Sequence, residues 1–203
     1  MDARERVAER GRRLQVLTIA WNSGEFVVAV VAGLLAGSVA LIGFGFDSAI
    51  EVSASAAALW RLRHDADEAR REAAERRALR LIGACFLLLA AYILYEAAEM
   101  LVERRAPDES VIGIVLAALS LAVMPLLARA KRRIATILRS GALEAETRQT
   151  EVCAWLSAIL LGGLGLNAVL GWWWADPAAA LLMVPFIAKE GWEALRGRTC
   201  CAA

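Results

Sequence analysis

Residues Ser38–Trp60 read SVALIGFGFDSAIEVSASAAALW, an apolar run long enough for a helix to cross a ~30 Å hydrocarbon slab, yet it carries two carboxylates. Asp47 and Glu51 stand four apart, so on a helix they share one face about one turn apart. Counted from Ser38, they lie at depths of roughly 14 and 20 Å, near the middle of such a slab. A charge at the bilayer centre costs at least ~2.5–3.5 kcal/mol on insertion scales. The pair must therefore face a bundle interior and be protonated, hydrogen-bonded across helices, or shared by a cation.

Five further runs flank this one: Leu14–Leu35, Leu79–Val102, Val111–Ala128, Val152–Gly171 and Pro177–Leu195. With 59% hydrophobic residues among 203, the chain holds more apolar surface than one soluble core could hide, a soluble domain being about 45–50% apolar. The expected fold is all-α, a polytopic bundle of six transmembrane helices, with a 1–13 arm, a 14–196 membrane domain and a 197–203 tail. Disorder, coiled coil and a disulfide scaffold are excluded. A net charge of +1 offers no nucleic-acid footprint. The first run lacks a small-residue cleavage site and reads as a retained helix.

Charge placement orients the bundle. Of the 23 Lys and Arg, all but Arg104 and Arg105 fall in the N-terminal arm, the connections between runs two and three and between runs four and five, and the C-terminal end. Positive charge favours the cytoplasm, so both termini are expected there. Gly37, Ala106-Pro107-Asp108 and Ala175-Asp176-Pro177 then turn the chain on the outer side. Trp172, Trp173 and Trp174 at the outer border, and Trp60 and Trp192 at inner borders, suit anchoring in the headgroup layer. The connection Arg61–Arg80 mixes Arg with acids at helical spacing and reads as a solvated extension of its flanking helices, with anionic lipid headgroups as alternative partners.

A second polar turn, Glu144, Glu146, Gln149 and Cys153, opens run five, with Gln149 and Cys153 again four apart. Cys alone is a weak signal, since a membrane cysteine is commonly a small packing residue. With Asp47 and Glu51 the pair offers carboxylate oxygens, an amide oxygen and a thiolate, enough donors for a four-coordinate divalent cation such as Zn2+. Glu25 and Glu96 lie inside runs one and three and could support the ligands or line an access path, as could Glu144 and Glu146; helix-to-helix hydrogen bonding is the plainer alternative. One mismatch remains. Cys153 lies roughly 27 Å below Gly171, one turn deeper than Glu51, which tilt or an overhanging fifth helix would remove.

These residues carry a resemblance to the membrane domain of the cation diffusion facilitator family. Gly37-Ser38-Val39-Ala40-Leu41-Ile42 leading to Asp47 and Glu51 resembles its second helix, and Ser140-Gly141-Ala142-Leu143 through Glu146, Gln149, Cys153 and Ser157 its fifth. Tyr95-Glu96-Ala97 and Ala175-Asp176-Pro177 are similar to its third and sixth helices. The resemblance implies zinc-like divalent metal efflux by exchange with protons, generally as a homodimer, with Asp47, Glu51, Gln149 and Cys153 as metal ligands. Gln149 and Cys153 depart from the His or Asp followed by Asp usual on that fifth helix. The family's C-terminal cytoplasmic domain is not expected after Arg196, and together these departures resemble a divergent, transmembrane protein 163-like branch. Enzyme chemistry ranks last, because Cys153 has no intramembrane histidine partner. A non-transporting metal-binding or partner-binding scaffold is the competing class. Arg and Ala richness resembles chains of high-GC bacteria, which places the protein in the inner membrane among lipids. Cys200 and Cys201 end a tail expected to be reduced.

Overall fold

A computed structural model describes residues 3–61, 68–138 and 141–196. It contains six helices: α1 (Ala3–Ala36), α2 (Val39–Arg61), α3 (Glu68–Glu103), α4 (Val111–Leu138), α5 (Gly141–Leu170) and α6 (Ala175–Leu195). No strand occurs among the described residues. Five helices, α1 to α5, contain stretches long and apolar enough to cross a membrane. α6 carries Asp176, Lys189, Glu190 and Glu193 within its 21 residues, and these charges interrupt its apolar length.

The helices outrun the apolar segments that announced them. α1 continues back through the arm to Ala3, α3 begins at Glu68, and α4 runs on to Leu138. Arg, Glu and Ala are strong helix formers, so the ladder does not stop where apolarity does. Glu9 and Arg13, at i and i+4 on the arm, pair at 2.5 Å. The connection 62–67, with His64, lies outside the described residues, as do the tail cysteines and the side chains of Trp60, Glu144 and Glu146.

Three antiparallel pairs build the bundle: α1 with α2, α3 with α6, and α4 with α5; α1 also packs on α4, and α2 on α5 and α6. Glycine sets the closest approaches. A Cβ at Gly83 of α3 would stand 2.7 Å from the Gly191 carbonyl oxygen and the Leu195 backbone nitrogen of α6. Gly37, at φ 65°, takes the left-handed conformation that makes the α1–α2 turn. Val28, Val31, Leu34, Leu88, Leu119 and Val169 expose large apolar side chains outward, as a lipid-facing surface requires.

At the end of the bundle carrying the Gly37 turn, Ser38 ties α2 to α6. Its hydroxyl donates to Asp176 Oδ1 at 2.5 Å and accepts from the Leu41 backbone N–H at 3.1 Å. The Asp176 carboxylate also faces the Val39 and Ala40 amides at the start of α2, where negative charge is favourable. Asn167 Nδ2 donates to the Pro107 carbonyl, fastening α5 to the loop before α4.

Candidate metal centre

Burial is where the polar pattern becomes a site. Asp47, Ser48, Glu51 and Ser55 recur on one face of α2 and are all buried, Glu51 completely. Gln15, Thr18, Asn22 and Glu25 make a matching buried polar stripe along α1. Lys131 and Ser120 of α4, and Thr147, Thr150 and Cys153 of α5, are buried too. Polar side chains from four helices thus meet inside an otherwise apolar bundle, screened from lipid.

The antiparallel register of α2 and α5 pairs the two helices turn for turn. The Cys153 thiol faces the Asp47 carboxylate. One turn toward the arginine-rich end, the Thr150 hydroxyl donates to Glu51 Oε1 at 2.6 Å. The depth mismatch disappears in this register. Cys153 shares the level of Asp47, and Thr150 that of Glu51. From the Asp47–Cys153 level α2 runs back about 12 Å to Val39 and α5 runs on about 26 Å to Leu170, so α5 overhangs by about 14 Å.

The structure brings Asp47, Glu51 and Cys153 to one locus. Gln149 is half-buried on the same helix as Cys153 and makes no side-chain hydrogen bond among the described residues. Among those residues, no three His, Cys, Asp or Glu side chains are grouped so as to hold a metal ion. Glu51 is turned to other partners. Lys131 Nζ stands 3.5 Å from Glu51 Oε1 and donates to the Thr150 hydroxyl at 3.0 Å, closing a Lys–Thr–Glu triangle. The two charged side chains are 1% and 0% exposed, so the ammonium meets the carboxylate with almost no water screening. Lys131 is the one buried Lys or Arg among the described residues.

The other acids separate. Glu25 lies beside the cluster, its Oε2 accepting from the Ser48 hydroxyl at 2.9 Å, and it is close enough to feel Glu51 electrostatically. Glu96 sits half-buried on α3 near the exposed Tyr92 and Tyr95. Glu144 and Glu146 lie on α5 below Thr147, with side chains outside the described residues. Two participants were not anticipated from the sequence, Lys131 and Thr150. By sequence Lys131 is one more positive charge in the connection between the fourth and fifth runs, although it is one of only two lysines in the chain. Thr150 precedes Cys153 by three and so shares its face.

Buried carboxylates, a thiol and one ammonium thus gather inside a helical bundle whose outer face is apolar. Residues 16–198 match the cation efflux transmembrane domain, and the chain belongs to the cation efflux, or cation diffusion facilitator, family. It is also 29% identical over 180 residues to a protein of Synechocystis sp. named an uncharacterized transporter, an alignment covering 86% of this chain and 58% of the relative. The chain therefore spans little more than half the length of that relative.

Proposed function

We propose that this chain exports a divalent, zinc-like cation across a bacterial inner membrane in exchange for protons, as a homodimer, with Asp47, Glu51, Gln149 and Cys153 holding the ion in transit. The observation that carries the reading is the meeting of Asp47 with Cys153, one turn from Glu51, inside a bundle of the cation efflux family. Carboxylate and thiolate together suit zinc better than a purely oxygen-seeking ion. In this mechanism both termini are cytoplasmic, and the ion arrives from the arginine-rich end past Glu144 and Glu146 and along the polar stripe of α1. It displaces protons from Asp47, Glu51 and Cys153, since ligands bind metal in their deprotonated forms. Rearrangement of the paired helices then opens the site outward, where protons reclaim the ligands and release the metal. Gln149 contributes a neutral oxygen and exchanges no proton.

One feature favours a second reading, a metal-binding or partner-binding scaffold that does not transport. Lys131 already satisfies Glu51, and a resident ammonium can replace a travelling ion. Zinc uptake into proteoliposomes under an imposed pH gradient separates the two. Transport predicts zinc-dependent proton movement that Asp47→Ala abolishes; flux undiminished in that variant would refute the site, and absence of flux in the parent chain would favour the scaffold.

A further inference from the structure

α4 packs on α5 and on α1, and its remaining side is open. Val115, Leu119, Ala122 and Leu126 recur there every three or four residues and are all exposed, the outward face of a helix long and apolar enough to cross a membrane. The same spacing carries that stripe into Arg129, Arg133 and Ile137, also exposed, so the two arginines look out where the leucines do. Measured from Val111, where α4 begins, Arg129 lies about 27 Å and Arg133 about 33 Å along the helix, astride the far edge of a ~30 Å hydrocarbon slab. Lipid headgroups begin at that depth.

An open cleft of about 530 Å³ lies here, lined by Arg129, Arg132, Arg133, Thr136 and Ile137. Glu151 of α5 takes the Arg132 guanidinium, and the Thr136 hydroxyl donates to the Arg132 carbonyl at 2.9 Å, so neither of those two is left to hold a ligand. Arg129 and Arg133 enter no ion pair among the described residues. On the same turn Lys131 points the opposite way, into the bundle and onto Glu51, which keeps the cleft apart from the buried polar cluster. Two uncompensated guanidiniums, four apart on one face, can each offer a two-pronged N–H fork to a phosphate group. The apolar stripe that continues from them through Leu126 and Leu119 suits hydrocarbon. A ligand with phosphate at one end, hydrocarbon at the other and a negative net charge matches both halves. We propose that Arg129 and Arg133 hold the phosphate of an anionic phospholipid, whose acyl chains lie along Leu126 and Leu119.

This site is independent of metal transport, and its test reads lipid alone. The full chain in an uncharged detergent is given phosphatidylglycerol and phosphatidylcholine in equal amounts, and the lipid it retains is counted by native mass spectrometry. Both lipids carry a phosphate, so a preference reports net charge. Phosphatidylglycerol should be retained over phosphatidylcholine by about tenfold or more. That preference should persist in the presence of inorganic phosphate and disappear when Arg129→Gln and Arg133→Gln are combined. Arg10→Gln with Arg12→Gln, which removes the same charge from exposed positions of α1, should preserve it. No preference in the parent chain, a preference that survives the Arg129 and Arg133 changes, or one lost equally in the α1 variant would overturn the assignment. Displacement of the lipid by inorganic phosphate would overturn it too, by showing a site for a free anion. Should the double variant fail to fold, an undiminished preference in Arg133→Gln alone would have the same force.

Discussion

Replacing Lys131 with Met removes the ammonium from Glu51 while keeping the length of the side chain. In the parent chain the charges stand 3.5 Å apart and are almost wholly buried. At that distance an effective dielectric of about 20 gives an attraction of about 5 kcal/mol. Removing one member of such a pair leaves the other charge uncompensated and costs about 3–5 kcal/mol. A divalent ion at Asp47 and Glu51 supplies the missing positive charge, so the loss of Lys131 should be felt in the metal-free protein and relieved by metal. If local relaxation absorbs somewhat more than half of the Coulomb energy, about 2 kcal/mol remains, which is roughly a thirtyfold gain in zinc affinity. Lys131→Met should therefore melt lower than the parent without metal, yet bind zinc more tightly in calorimetric titration. The double variant Lys131→Met with Glu51→Gln should recover most of the stability, because it removes both charges together. Zinc affinity equal to or weaker than that of the parent, in a Lys131→Met protein that keeps its helical circular dichroism, would refute the idea that Lys131 and metal compete for Glu51.

Three further outcomes follow from packing and hydrogen bonding. Thr150→Ala strips Glu51 of a buried 2.6 Å hydrogen bond and should cost about 1–3 kcal/mol, whereas Gln149→Ala should change stability by about 0.5 kcal/mol or less; equal shifts in thermal midpoint would contradict the observed register. Ser38→Ala breaks the contact between α2 and α6 and should lower stability by about 1–3 kcal/mol, read as earlier unfolding in detergent. Gly83→Val places a side chain against the backbone of α6, where neither Gly191 nor Leu195 can give way cheaply. It should destabilise by about 1–3 kcal/mol, and a thermal midpoint matching that of the parent would disprove the close helix contact.

What could be read from the chain was whatever repeats on a helix. Asp47 and Glu51, four apart in an apolar run, announced a shared buried face, and the structure buries both. Cys153 was legible for the same reason, being four residues after Gln149 in the turn that opens the fifth run. Lys131 was not, because cations at the end of an apolar run normally reach outward to water, and only tertiary packing shows this one reaching inward. Ser120 was equally silent, since a lone serine in an apolar helix is ordinary; its place beside Glu25 depends on how α1 crosses α4. Relative depth was beyond reach too, because the overhang of α5 beyond the start of α2 is a property of the assembled bundle. Helix ends lie beyond the apolar stretches wherever charged, helix-favouring flanks carry the ladder past them, as at Ala3 and Leu138.

In the proposed site Asp47, Glu51 and Cys153 bind one divalent ion together, and cadmium reports on it through its thiolate charge-transfer absorption in the ultraviolet. In a chain with Cys85, Cys200 and Cys201 changed to Ser, a band is expected that saturates at one cadmium per protein and vanishes in both Asp47→Asn and Glu51→Gln. A band indifferent to those carboxylates, or no band from a folded protein, would contradict it.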